Sequence, residues 1–269
     1  MDDQAVRRLR WKYDQFRVLV MGKANAGKTT ILQKVCNTTD QPKIYNTEGE
    51  EVSARSDLAT RANTKRQRGV HDIENEMIFA ANPRYVFHDS RGFECGSTEE
   101  FKIVQDFIQQ RGSETASPRQ LHAIWYCLPA DNASRLLTGA EARFFQECDP
   151  GAVPVIAIYT KFEDFVLQTQ EFLMNKGLEE EDALEQASIS ASDRFTKEYA
   201  SVFSRMKFPP SRDLKLQRKY DLLSYMIYAK CDELLEKTAD ALGDDTLRKL
   251  FVCIQRNNLD LCAKWGVKR

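Results

Sequence analysis

Gly27, Lys28 and Thr29 stand in a row, with Gly22 five residues before Gly27. Residues 22–29, GKANAGKT, therefore fit G-x-x-x-x-G-K-[ST] at every fixed position. The two glycines let the backbone turn tightly and approach an anion closely. Successive N–H groups can then point inward as a nest, and the helix that follows adds the positive end of its dipole. Lys28 offers a mobile charge to the outer phosphates of a nucleoside triphosphate. Thr29 offers a hydroxyl to Mg²⁺.

Two further clusters carry compatible chemistry. Asp89 is followed three residues later by Gly92. A carboxylate there can hold the Mg²⁺ shell through water, and a glycine N–H can meet a terminal phosphate without a side chain in the way. Thr160-Lys161-Phe162-Glu163 is the candidate base reader. A carboxylate can accept two hydrogen bonds from the N1–H and N2 amino edge of guanine, a donor pair that adenine lacks. The Lys161 stem can lie flat along the base. Asp164 stands next to Glu163 and competes for the same role.

These clusters need strands to present them. The apolar runs at 16–21, 121–128 and 153–159 read as buried strands, and the first runs straight into the glycine loop. Ile31, Leu32 and Val35 recur at helical spacing after it. Residues 72–80 and 84–88 read as a hairpin turning at Ala81-Asn82-Pro83, and 220–228 as the last strand. Ser97-x-x-Glu100 and Thr138-x-x-Glu141 are capping boxes opening helices, the first stopped by Gly112. A helical region after Asp164 breaks at Gly177 and then places Phe195, Tyr199, Val202 and Met206 on one face. Helices at 232–242 and 246–265 close the chain, and residues 5–13 form a short charged lead-in. Residues 37–69 are polar and aperiodic, which reads as a long functional loop.

Alternating strands and helices predict one α/β domain. Its sheet is mostly parallel with one antiparallel edge strand, and helices cover both faces. Ligands of such sheets sit at the carboxyl ends of the strands, where every cluster above falls. The chain has 269 residues, is 42% hydrophobic and carries a net charge of -1, so nothing global draws it to nucleic acid. Its 7 cysteines are scattered without C-x-x-C pairs, which argues against a disulfide framework or a zinc site. His71 and His88 read as structural. The charged first residues lack the apolar core of a signal peptide, and no apolar run approaches the ~18 residues of a membrane span. A cytoplasmic protein without an integral membrane segment is expected.

In order and spacing, residues 16–36, 89–92 and 160–163 resemble the motifs of the translation-factor-related GTPases, in particular the Era-like and septin/AIG1-like G-domain proteins. The stretches RGVHDIENEMIFAANPRYVFHDSRGFECG and IWYCLPADNASRLLTGAEARFF resemble fungal proteins described as G-domain-containing. The resemblance implies a three-layer P-loop fold with a G domain at 16–242, an N-terminal lead-in at 1–15 and a C-terminal helix at 243–269. It implies GTP and GDP as ligands, Mg²⁺ as cofactor, and GTP hydrolysis. The implied nucleotide contacts are Gly22, Asn25, Ala26, Gly27, Lys28, Thr29, Thr30, Gly92, Thr160, Lys161 and Glu163, with Ala229-Lys230 standing for the family's Ser-Ala-Lys. The implied metal ligands are Thr29, Asp89 and a switch threonine, Thr64 in preference to Thr60.

Two positions bear on catalysis. Phe93 follows Gly92 where Ras-like proteins carry a water-orienting glutamine, which implies slow hydrolysis. Asn25 matches the asparagine of the potassium-activated GTPases, so K⁺ joins Lys28 and Asn25 as an expected catalytic aid, with self-association of the G domain as a second. Two other readings fit the same residues. One is a non-hydrolysing nucleotide scaffold that dimerises through its G domain. The other is a P-loop ATPase or kinase, against which Thr160–Glu163 argues.

Overall fold

The computed structural model describes residues 15–52, 72–90, 97–114, 117–131, 139–216 and 231–255. At its centre is β1 (Phe16–Met21), every residue of which is buried. It pairs in parallel with β4 (Tyr85–Asp89) on one side and β5 (Ala123–Pro129) on the other. β6 (Val155–Thr160) and β7 (Arg212–Lys215) extend the parallel sheet beyond β5. On the other side β3 (Glu76–Ile78) runs antiparallel to β4, and β2 (Lys43–Tyr45) antiparallel to β3. The described sheet is thus 7-stranded in the order β2-β3-β4-β1-β5-β6-β7.

Buried residues alternate between two cores because successive strand side chains point to opposite faces. Leu19 and Met21 face a core shared with α2 (Thr98–Ser113), α3 (Gly139–Glu147), α4 (Phe162–Asn175) and α5 (Glu180–Phe195). Val18 and Val20 face a core shared with α1 (Lys28–Val35), α6 (Cys231–Ala241) and α7 (Asp245–Cys253). Both cores are aromatic: Phe144, Phe145, Phe162, Phe165 and Phe195 pack on the first face, Phe16, Tyr85, Phe87 and Trp125 on the second. The Trp125 indole donates to Thr238 Oγ1 of α6 at 3.2 Å. Phe251 of α7 closes on Phe16, ring centroids 4.6 Å apart. Helices on both faces of this mixed, mostly parallel sheet make a three-layer α/β fold, as expected. Among the described residues no helix is long and apolar enough to cross a membrane.

Local chemistry explains where elements depart from expectation. Ser97 caps α2 as expected, its Oγ accepting from Glu100 N–H at 3.1 Å. Gly112 does not stop that helix, which runs on to Ser113. A Cβ on Gly112 would lie 2.9 Å from Val153 Cγ2, so the glycine serves close packing. The strand expected from residue 72 begins only at Glu76, because Asp72 builds a turn: its carboxylate accepts from Glu74 N–H and its carbonyl from Asn75 N–H, both at 3.0 Å. The antiparallel part is wider than the one edge strand expected. β2 lies within the stretch read as an aperiodic loop, where Asn46 Oδ1 accepts from Glu48 and Glu50 N–H and folds residues 43–52 into a hairpin.

β7 was not foreseen, since only Leu214 of its four residues is buried. The strand expected at 220–228 lies outside the described residues, as do the lead-in helix, His71, Thr138 and residues 256–265 of the last expected helix, which within the described residues already ends at Cys253. After α5 a π-helical turn, Thr196–Ala200, inserts an extra residue and breaks the 3.6 period. Val202 is consequently turned outward at 39% exposure, and Phe203 takes the buried position.

A polar cluster is built around Arg17 of β1. Arg17 of β1 is buried and pairs with Glu76 at 2.7 Å. Arg17 N–H donates to His122 Nδ1 at 2.9 Å, which leaves that imidazole neutral. His88, read as structural, is buried with Nδ1 2.9 Å from Ile73 O. Burial and the neighbouring Arg17 cation lower His88 to about 3 and His122 to about 4.

Candidate functional site

β1 delivers the chain to the glycine loop with no freedom to spare. Gly22 has φ 129, and a Cβ there would come within 2.3 Å of Cys127 O on β5. Asn25 (φ 59) and Gly27 (φ 80) are also left-handed. Such residues turn successive N–H groups to one side. Gly27 is the N-cap of α1 and supplies no side-chain hydrogen bond, and the first turn holds no acid. The leading N–H groups of α1 are thereby left for another acceptor. Lys28 folds back over the loop, its Nζ donating to Gly22 O at 2.6 Å and Lys23 O at 2.9 Å. Ala26 is buried under the loop, and Asn25, Thr29 and Thr30 are exposed.

The β1–β4 register sets Asp89 beside Val20, one residue before β1 ends. Lys28, Thr29 and Asp89 line one pocket of about 120 Å³, together with Gln41, Pro42 and the apolar Val20, Leu32, Ile44, Met77 and Phe79. A lysine, a hydroxyl and a carboxylate on one cavity at a helix N-terminus fit a Mg²⁺-phosphate group: hard oxygen donors for the cation, N–H and ammonium donors for the anion. The buried hydroxyls Ser90 Oγ and Thr160 Oγ1 have no hydrogen-bond partner among the described residues. Ser90 follows β4 and Thr160 ends β6, at the same edge of the sheet.

The candidate base reader sits at the end of β6. Thr160 is buried, and its Cγ2 would lie 3.8 Å from a Cβ on Gly27, so the two motifs adjoin. Lys161 is left-handed (φ 54) and caps α4. Its Nζ meets Asp131 Oδ2 at 2.6 Å rather than lying open along a base. Gln168 Nε2 donates to Asp131 O at 2.8 Å. Glu163 and Asp164 both stand half-buried in the first turn of α4. The geometry keeps both as candidates.

Two partners were missed by sequence reasoning. Asp131 follows β5, and an acid just past a strand's carboxyl end was the available signal. Glu141, expected as the acid of a capping box, is 2% exposed, and its Oε1 lies 3.2 Å from Lys23 Nζ of the glycine loop. Thr60, Thr64, Gly92, Phe93, Ala229 and Lys230 lie outside the described residues.

No known family model matches the chain, and no curated protein matches it either. Among solved structures it is similar to a septin GTPase domain from Chlamydomonas reinhardtii, 16% identical with a TM-score of 0.33, over 59% of this chain and 58% of that one. A point mutant of S. thermophilus NFeoB bound to GDP is 14% identical with a TM-score of 0.33, over 94% of this chain and 91% of that one. A structure of an oligomerised bacterial dynamin pair gives 10% identity and a TM-score of 0.35, over 97% of this chain and 40% of that one. The chain thus spans less than two thirds of the septin and dynamin chains. Likenesses this distant carry no argument about activity.

Proposed function

We propose that this protein binds guanine nucleotides with Mg²⁺ and is a slow GTPase switch of the Era-like or septin-like kind, working in the cytoplasm. The observation that carries the reading is the meeting of Lys28, Thr29 and Asp89 on one pocket at the open N-terminus of α1. In this reading the loop N–H groups and Lys28 hold the β and γ phosphates. Thr29 and Asp89 would hold Mg²⁺, with Thr64 or Thr60 as the further expected ligand and the Gly92 N–H as the expected contact to the γ-phosphate. Mg²⁺, when bound, offsets charge on the phosphate oxygens. Water attacks the γ-phosphorus, the bond to the β–γ bridging oxygen breaks, and GTP gives GDP and phosphate. Glu163 or Asp164 would accept from the guanine edge, with Ala229-Lys230 as the candidate for the family's Ser-Ala-Lys. Asn25 would hold K⁺, and that cation, when bound near the phosphates, would stand in for the glutamine whose place Phe93 takes.

Phe93 also favours a second reading, a nucleotide-bound scaffold that turns over negligibly and pairs through this domain. The test is the nucleotide released from purified protein, followed by GTP-against-ATP competition on the protein and its Glu163→Ala and Asp164→Ala variants. Bound GTP or GDP is expected, with guanine preference lost in one variant. Copurifying ATP or ADP, or equal competition by ATP, overturns the guanine assignment. Phosphate release at or below background separates the scaffold from the GTPase.

A further inference from the structure

Two lysines from separate nucleotide motifs reach the same connection in the chain. Lys23 of the glycine loop pairs with Glu141 at 3.2 Å, and Lys161 of the base-reading turn pairs with Asp131 at 2.6 Å. Asp131 stands where the chain leaves β5, and Glu141 stands in the first turn of α3. The two carboxylates are therefore close to the two described ends of one β5–α3 connection. It is further tied to the base-reading strand by Ala130 N–H, which donates to Thr160 O at 2.8 Å.

The burial is what makes the first pair directional. Glu141 is 2% exposed, and a carboxylate that deep is costly to leave without a cation beside it. The cation comes from the loop itself, one residue after Gly22. Lys161 has the complementary problem. Its φ of 54 is costly for a residue with a Cβ and persists only when its surroundings hold it. The Asp131 pair and the Phe162 N–H to Leu216 O bond at 3.1 Å are such holds.

We propose that Glu141 and Asp131 are positioning residues of the nucleotide site: Glu141 sets the glycine loop through Lys23, and Asp131 sets the base-reading turn through Lys161. This rests on the nucleotide reading above. It assigns the carboxylates different halves of the ligand. In the nucleotide reading the N–H groups of residues 23–26 hold the outer phosphates, so losing Glu141 is felt by di- and triphosphates. Lys161 serves the nucleoside half, so losing Asp131 is felt whatever the number of phosphates.

The test uses fluorescent (mant-labelled) GMP, GDP and a non-hydrolysable GTP analogue, titrated into the full chain and its Glu141→Gln, Lys23→Met, Lys23→Met/Glu141→Gln and Asp131→Asn variants. Thermal unfolding is followed in parallel. Glu141→Gln and Lys23→Met should each weaken GDP and the GTP analogue on the order of tenfold while leaving GMP within about twofold, as loss of one charge-assisted contact predicts. The double variant should lose no more than either single one. Asp131→Asn should weaken all three nucleotides by the same factor. If Lys23→Met does not fold, because it leaves buried Glu141 without its cation, Glu141→Gln carries the test, since it leaves only a partly exposed lysine unpaired. Equal loss for all three nucleotides in the Lys23 and Glu141 variants, unchanged affinities, or tighter binding of the GTP analogue overturns this inference alone. Absence of any nucleotide binding by the unaltered protein overturns the nucleotide reading and this inference together.

Discussion

Gly22→Ala places a methyl where the backbone of β5 already stands. The added Cβ would lie 2.3 Å from Cys127 O and 3.1 Å from Cys127 C. Neither atom can swing aside, because β5 is hydrogen-bonded on both edges, to β1 and to β6. A φ of 129 adds strain on top of the clash. A strained backbone of this kind costs about 1–3 kcal/mol, and forcing a methyl into packed backbone adds about 1–3 kcal/mol. Gly27→Ala is the matched control. It has φ 80, but its Cβ would meet nothing nearer than 3.8 Å, so it bears strain without clash. The expected loss is therefore about 2–6 kcal/mol for Gly22→Ala and about 1–3 kcal/mol for Gly27→Ala. At about 2–4 °C per kcal/mol for a chain of this size, the first variant should melt roughly 4–24 °C low. Urea denaturation of both variants, with nucleotide absent, measures the difference directly. Equal midpoints for the two would refute the claim that β5 sets the shape of the loop.

Three other outcomes are expected. His88 and His122 are held below their ordinary value of 6.5, to about 3 and about 4, so below pH 6.5 the unfolded chain takes up protons that the folded chain refuses. Stability is full above pH 6.5 and falls as pH drops toward 4, by about 2 kcal/mol per histidine at pH 5; urea midpoints that stay level from pH 7.5 to 5 would contradict this. Lys28→Ala should abolish triphosphate binding yet leave the melting temperature within a few degrees, since the side chain is half-buried over the loop and absent from both cores; calorimetry showing unchanged affinity would dismiss the loop assignment. Phosphate release should be slow in sodium, on the order of 10⁻⁴ s⁻¹, and faster in potassium, with Asn25→Ala losing the potassium response while still binding nucleotide; rapid turnover in sodium at low protein concentration would defeat that account.

The parts of the fold that were legible are those whose burial is complete or periodic. β1, β5 and β6 are buried on both faces and read as unbroken apolar runs. The glycine loop was legible because its backbone needs specific residue types at fixed spacing. β2 and β7 escaped because each is short and mostly polar: β2 has no fully buried residue and β7 has Leu214 alone. Their existence comes from neighbours, Asn46 turning one hairpin and β6 offering a free edge to the other strand. The π turn after α5 was hidden for a related reason, since an apolar stripe at period 3.6 carries no mark of where an extra residue enters. At the site, residue types were readable and pairings were not. Lys161 and Asp131 are 30 residues apart, and the chain's acids offer Lys161 many alternatives until the β5–β6 register selects one.

The contact between Phe16 and Phe251 sets a schedule for synthesis. The first described strand leaves the ribosome long before its latest neighbour exists. β1 gains its parallel partners only when residues 85–89 and then 123–129 have been made. The face of Phe16 is closed later still, by a ring on α7. At about 5–20 residues per second that wait lasts on the order of tens of seconds. Until β5 is made the glycine loop has no backbone to lean on, and until α7 is made the central strand keeps one open flank. A nascent chain of this protein therefore carries its innermost strand as a sticky, half-covered surface, and finishes its core only once residue 251 has emerged.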